Sequence, residues 1–398
     1  MKQLKRSVLY FLIWLVACTP QAEVIPTASP QPEIPPTAAE EVERQPVLRV
    51  AYSKQADPWV WTEGEGSRRV ADSINVVNVV LSSDGQVVAF KRDDTGEVFS
   101  VSADGSNLHP LVSAEFLAEE ALTVWDFKFA PNSHNIYFTL MPIGSEFRPR
   151  YDLYRVDADA VEPTPSMVRA TSQGGIATFS PDGQWMTLYH PGGLELARAD
   201  GSEAHTIFTY PEGYEPATLG PEIVWRQDSS GFSLYYSDVI NSPESGAIWF
   251  VPTTGDPVQG TPIASPAATV SPDGQSAGYT APNGEIHIIT PDGRDSIYMT
   301  VENGSFGGWL PDSQHFVVIF EIEVEGFYGL ANQYFLGAPG KELVPLTDTV
   351  DAYPVVWVSA GRFLFASLGE LRIQHIGEPS LLLDNEIYNA LDYVWFIP

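Results

Sequence analysis

The sequence predicts an all-β fold: a β-propeller of four-stranded blades, closed by one blade that the two ends of the chain share. Three observations predict it. An apolar residue, usually followed by a Pro-Asp or Ser-Asp turn, recurs eight times from Leu81 to the C-terminus, at spacings of about 38 to 50 residues. Each recurrence leads into a run of β-formers. The two chain ends hold complementary parts of a single unit.

The anchors are Leu81-Ser82-Ser83-Asp84-Gly85, Phe129-Ala130-Pro131-Asn132-Ser133, Phe179-Ser180-Pro181-Asp182-Gly183 and Trp225-Arg226-Gln227-Asp228-Ser229. They continue with Val270-Ser271-Pro272-Asp273-Gly274, Trp309-Leu310-Pro311-Asp312-Ser313, Trp357-Val358-Ser359-Ala360-Gly361 and the terminal Trp395-Phe396-Ile397-Pro398. Runs such as Val87-Val88-Ala89-Phe90 and Phe316-Val317-Val318-Ile319-Phe320 follow, in the pattern of buried strands. Helical periodicity is absent. A further strand in each unit ends in a Gly turn, as in Leu194-Glu195-Leu196-Ala197-Arg198 before Asp200-Gly201, because Asp and Gly tolerate the positive φ of a hairpin.

Units of this length that bury their faces on their neighbours stack radially. Leu48–Tyr52 and Pro58–Gly64 read as the second and third strands of a blade that lacks its inner strand, and Tyr393–Ile397 supplies it. The count is eight blades, or seven if the Trp357 unit, which lacks Pro-Asp, is something else. The propeller is placed at 47–398.

The pattern apolar-Ser-Pro-Asp-Gly-Gln, β-run, then a short strand before Asp-Gly resembles the repeat of TolB-type, WD-repeat-like propellers over residues 48 to 398. The resemblance implies the fold and is nearly silent on function. Gln227, Ser359 and Ala360 depart from it.

At the N-terminus, Lys2, Lys5 and Arg6 precede the apolar run Ser7–Ala17, which at about 11 residues is too short for a resident membrane helix. Residues 1–17 read as a signal peptide. Leu15-Val16-Ala17-Cys18 resembles the bacterial lipobox, and Cys18, the single cysteine of the chain, is the expected lipidation site. The implied diacylglyceryl group would anchor the chain at about 0.8 kcal/mol per buried methylene. Residues 18–46, rich in Pro, Thr, Ala and Glu, read as an extended tether reaching on the order of 80 Å at about 3.1 Å per residue. The expected location is extracytoplasmic, on either the inner or the outer membrane.

A formal charge of −30 excludes nucleic acid and direct adsorption to anionic lipid as partners, leaving the lipid anchor as the only membrane contact. A monomer is expected. Catalytic signatures are sparse: no Gly-x-Ser-x-Gly elbow occurs, and the nearest string, Gly304-Ser305-Phe306-Gly307-Gly308, places Ser directly after Gly. No further domain is expected after Pro398. The seven histidines lack ligand spacing, and the Asp-Gly turns lack the Asp-x-Asp-x-Asp pattern, so no metal or cofactor is expected. Ser180–Trp185 is similar to a sialidase Asp-box but sits between the wrong strands.

In such a ring, the connections between blades and those between second and third strands share one face. Long loops on a rigid scaffold are candidates for binding. This selects Arg148 and Arg150, basic residues in an acidic chain suited to gripping a carboxylate or sugar. Asp126, Tyr214, Glu321 and Tyr353 complete the candidate set near the channel mouth. The expected function is a binding or protein-interaction module for a protein or a small polar, glycan-type ligand, with no catalytic residue. A channel-site enzyme of lyase or glycan-hydrolase type and a structural subunit of an envelope assembly are the alternatives.

Overall fold

Among the described residues, eight four-stranded antiparallel sheets form, each a blade. The computed structural model describes residues 47–72, 75–144, 149–210, 222–236, 246–263, 265, 268–323, 330–350, 352, 355–387 and the backbone of 393–396. Blade 1 runs outward from Tyr393–Phe396 through Arg49–Lys54 and Asp57–Thr62 to Gly66–Arg69, with Arg49 opposite Phe396 and Tyr52 opposite Tyr393. The C-terminal strand therefore completes the blade that the N-terminal strands begin.

The other seven blades are sequential. Their inner strands are Val76–Leu81, Leu122–Phe129, Ile176–Phe179, Ile223–Trp225, Thr269–Val270, Gly304–Trp309 and Val356–Ser359, for blades 2 to 8 in order. The Trp357 unit is a full blade, so eight is the number. One short helix, Ala114–Ala118, departs from the all-strand expectation: Ser113 caps it by accepting from the Phe116 amide at 3.3 Å. Five residues are too few to show a periodicity.

Every seam between neighbouring blades has its own apolar core, and one of them joins blade 8 to blade 1 through Leu364, Ile373, Val50 and Tyr52. Strand alternation feeds two cores at once. Val88 and Phe90 pack toward blade 1, while Val87 and Ala89 on the same strand pack toward blade 3. Burial on both faces is why these strands read as continuous apolar runs rather than as alternating ones. Trp225 and Trp309 sit in seams, 8% and 9% exposed.

The Ser-Pro-Asp-Gly turns join first to second strands on one face, the turn face. In blade 4, Ser180 is fully buried; its Oγ donates to Asp182 Oδ1 at 2.6 Å and accepts from the Trp185 amide at 3.0 Å, while Asp182 Oδ1 accepts from the Gln184 amide at 3.0 Å. Gly183 supplies the positive φ of 69°. Ser82–Asp84 and Ser271–Asp273 repeat the arrangement, each at 2.6 Å. The turns also bond one another around the ring: the Asn132 amide donates to Ser83 Oγ at 2.7 Å, the Asp182 amide to Ser229 Oγ at 3.0 Å, and the Asp273 amide to Ser313 Oγ at 2.9 Å. The motif's polar atoms are thus committed to turn and belt.

Candidate functional site

Opposite the turn face lies the loop face, from which the sequence draws its candidate contacts. Arg148, Tyr214, Tyr353 and the lipidation candidate Cys18 lie outside the described residues. Arg150 is bound within blade 3. Its guanidinium reaches Glu120 at 2.5 Å, Asp152 Oδ2 at 3.1 Å and Thr171 Oγ1 at 3.0 Å. Asp152 is fully buried, and its other carboxylate oxygen accepts from the Leu140 amide at 2.9 Å and Thr139 Oγ1 at 3.1 Å. Burial nonetheless lifts the Asp152 carboxyl above its ordinary value, against these bonds and the charge of Arg150.

Asp126 pairs with Lys128 at 3.1 Å on the same inner strand. Glu321 is exposed near the end of Phe316–Glu323 in blade 7. Blades 3 and 7 lie across the ring from each other, and no contact among the described residues joins these candidates. Also on this face, Tyr189, Phe208, Tyr210, Tyr236 and Trp249 cluster at the seam of blades 4 and 5, with Phe208 stacked on Tyr236 at 4.2 Å. Below them His190, 7% exposed, faces Glu195 at 3.5 Å, and Arg169 holds that carboxylate at 2.8 Å.

A groove of different character opens on the turn face over blades 1, 2 and 3, with a volume of about 600 Å³. Its floor includes Val60 and Val87. One wall is the hairpin that brings Asp57–Thr62 back through Glu65 into Gly66–Arg69; the other is the turn Ser102–Asn107. Asp104 and Asn107 are used inside that second wall: Asp104 accepts from Ser106 Oγ at 2.6 Å, and Asn107 donates to Ser102 Oγ at 3.1 Å.

Charged residues close the ends. Arg49 donates to the Gly85 carbonyl at 2.7 Å, tying blade 1 to blade 2. His134 is held between two carboxylates, Nδ1 to Asp159 at 2.7 Å and Nε2 to Asp84 at 3.0 Å, a setting that favours the doubly protonated ring. Burial opposes that charge, but the bonds to Asp159 and Asp84 outweigh it and raise the pKa above 6.5. Asp84 is correspondingly held below its ordinary value: burial pushes it up, and Ser82, the Gln86 amide and His134 together push it further down.

Between those ends, the side chains of Thr62, Glu65, Arg68 and Gln86 carry neither a hydrogen bond nor an ion pair among the described residues, although all four line the groove. Next to Arg68 in sequence, Arg69 is spent on Asp57 and Asp72, at 3.2 Å and 2.7 Å. These four groups are the ones sequence reasoning missed. The signal was present: Arg68-Arg69 is a basic pair in a very acidic chain, the criterion that selected Arg148 and Arg150.

No protein-family model matches the chain, and no curated protein matches it. Among solved structures, it is similar to one described as the eukaryotic initiation factor, at 11% identity and a TM-score of 0.54, over 88% of this chain and 98% of that one. It is also similar to an oligogalacturonate lyase in complex with manganese, at 14% identity and a TM-score of 0.46, over 71% of this chain and 83% of that one. A third is the β-propeller domain of the trilobed protease from Pyrococcus furiosus, at 13% identity and a TM-score of 0.43, over 66% and 84% of the two chains. At 11% identity the first of these likenesses bears on the fold alone, and on no activity.

Proposed function

We propose that the chain is a binding module of the cell envelope, tethered by a lipid on Cys18, that takes a small polar ligand of glycan type in the groove over blades 1 to 3. The observation that carries this reading is that the side chains of Thr62, Glu65, Arg68 and Gln86 line one groove and hold no hydrogen bond or ion pair among the described residues, Arg68 acting only at longer range on the charge of Asp104. A hydroxyl, a carboxylate, a guanidinium and an amide together offer donors and acceptors to a ring of sugar hydroxyls. The volume falls within the range of small-ligand sites, roughly 300–1,000 Å³. Elsewhere, the charged side chains of Arg150 and Arg169 are committed to the scaffold, as is His134 at the end of the groove. On this reading the ligand is bound and released unchanged.

Anchoring rests on the sequence from Lys2 to Cys18 and on the tether behind it; among the described residues no helix is long and apolar enough to cross a membrane. A glycan array probed with the intact chain tests the binding. It should reveal a ligand class whose affinity drops at least tenfold in a T62V/R68Q/Q86L variant. Equal binding by that variant, or no glycan retained, would overturn the proposal. For the anchor, C18A should move the protein from the membrane to the soluble fraction.

A further inference from the structure

His134 is fastened on both sides. Its Nδ1 lies 2.7 Å from Asp159 Oδ2, in the turn after the third strand of its own blade, and its Nε2 lies 3.0 Å from Asp84 Oδ2, in the first turn of blade 2. Both ring nitrogens therefore need a proton. A neutral imidazole has a single N–H, so the loss of one proton turns a nitrogen lone pair toward a carboxylate and breaks one of the two contacts.

This bridge is particular to one seam. The turns at 180–184 and 271–275 repeat the Ser-to-Asp bond of Ser82 and Asp84 at 2.6 Å, yet among the described residues no histidine reaches Asp182 or Asp273. His315 pairs with Asp312 of its own turn at 2.7 Å and so joins no two blades. His134 joins blade 2 to blade 3 at the end of the groove, where it and Asp159 both line the wall. The Asp84 carboxylate that it holds accepts, through Oδ1, from the Gln86 amide at 3.0 Å, and the Gln86 side chain lines the same groove. Arg49 and the Asn132 amide also hold this turn, at the Gly85 carbonyl and at Ser83 Oγ, both at 2.7 Å. Guanidinium and amide protons are kept across the neutral range, so those ties do not respond there.

The charged groups around this end of the groove are Asp84 and Asp104 from blade 2, Asp157 and Asp159 from blade 3, and Arg49, Glu65 and Arg68 from blade 1. Carboxylic acids and guanidinium groups change charge outside the neutral range, and a histidine changes charge within it.

We propose that His134 is a proton-operated clamp on the groove. Doubly protonated, it holds the limb that carries Asp84 and Gln86 against the Asp159 turn; after losing one proton it releases one of the two, and the groove holds its ligand less tightly. The effect on binding rests on the glycan reading of the groove, whereas the clamp itself does not. Asp84 and Asp159 are 50% and 65% exposed, so solvent screens both pairs and the expected change in affinity is severalfold rather than orders of magnitude.

Two measurements on the full chain test it. The first is amide exchange at about pH 6 and about pH 8.5, with times scaled for the intrinsic pH dependence. Residues 82–87 and 157–161 should exchange severalfold faster at the higher pH, while 180–185, a turn of the same build without a histidine, should not change. H134Q should exchange fast at both values, and H134R, which keeps a fixed positive charge, slowly at both. The second is affinity for glycans that the array retains at the lower pH. It should fall severalfold at the higher one, and this response should vanish in both His134 variants and persist in H109Q, whose ring faces Asn107 and Ser100 instead. Equal exchange of 82–87 at the two values, an equal change in 180–185, or a pH response that survives in H134Q and H134R would overturn the clamp. Retained glycans with pH-independent affinity would overturn its effect on binding and leave the groove reading standing. No retained glycan would overturn that reading, and exchange alone then decides the clamp.

Discussion

The hydroxyl of Tyr52 donates to the carboxylate of Asp384, 332 residues further along the chain. Lys54 Nζ lies 2.7 Å from the other oxygen of that carboxylate, and Ser67 Oγ lies 2.8 Å from the same phenol. Second and fourth strands of the shared blade are thereby fastened to the outer strand of blade 8, at the seam where the ring closes. Burial, then the bond to Asp384, pushes the Tyr52 phenol far above its ordinary value. Asp384 moves the other way: burial opposes its charge, but Lys54 and Tyr52 hold its carboxyl below the usual range.

Replacing Tyr52 by Phe removes a hydrogen bond to a charged group and keeps the ring that packs in the seam. The expected loss in urea unfolding at neutral pH is about 1.5–3 kcal/mol. An unchanged midpoint would show that the clasp contributes nothing to closure.

Two groups give the stability opposite dependences on pH. His134 is raised in the folded protein, so its contribution is complete below 6.5 and is lost as the pH rises through the higher folded value. Asp384 is depressed, so its contribution is present above 3.8 and is lost as the pH falls through the lower folded value. In unfolding curves collected across pH, H134Q should differ most from wild type in mildly acid buffer and converge with it on the alkaline side. D384N should differ most at neutral pH and converge in strong acid. The reverse order in either variant would contradict the assigned contacts.

The turn belt predicts a contrast between two glycines. Gly183 has φ 69°, and a Cβ there would lie 2.6 Å from the Pro131 carbonyl oxygen of the neighbouring blade. Gly183→Ala should cost about 1–3 kcal/mol. Gly361 has open space around its Cβ position, and Gly361→Ala should stay within about 0.5 kcal/mol of wild type. Thermal melts of the two variants decide this directly.

Arg150→Ala should behave as a structural lesion. It leaves the fully buried Asp152 without its counter-charge, for a loss on the order of 3 kcal/mol. Glycan binding measured below the unfolding transition should be retained. A variant of wild-type stability that lost binding would move the site to the loop face.

Most of the architecture was legible because each strand writes its burial into its own residues. Val87 to Phe90 is apolar at every position since both faces meet a neighbouring blade, and the Ser-Pro-Asp-Gly turns announce themselves because Ser180, Asp182 and Gly183 close a bond network within five residues. The helix Ala114–Ala118 escaped because a single turn has no period; Ser113 at the cap and Glu115 in the first turn were its local marks. The candidate site was harder. Arg150 looked like a free cation because Glu120 is brought to it by folding, although Asp152, two residues away, and likewise Lys128, two residues from Asp126, were partners that local spacing could have revealed. Thr62, Glu65 and Arg68 share one hairpin of blade 1 while Gln86 lies in blade 2, so only the folded seam of the two blades brings all four to one groove.

Hydrogen exchange on the intact chain, with and without a glycan identified on the array, tests the central claim most directly. The account predicts slower exchange on binding in the amides of Gly66–Arg69 and of the turn Ser102–Asn107, with no change around Arg150 or Glu321. Protection confined to the loop face, with the groove amides unaffected, would contradict it.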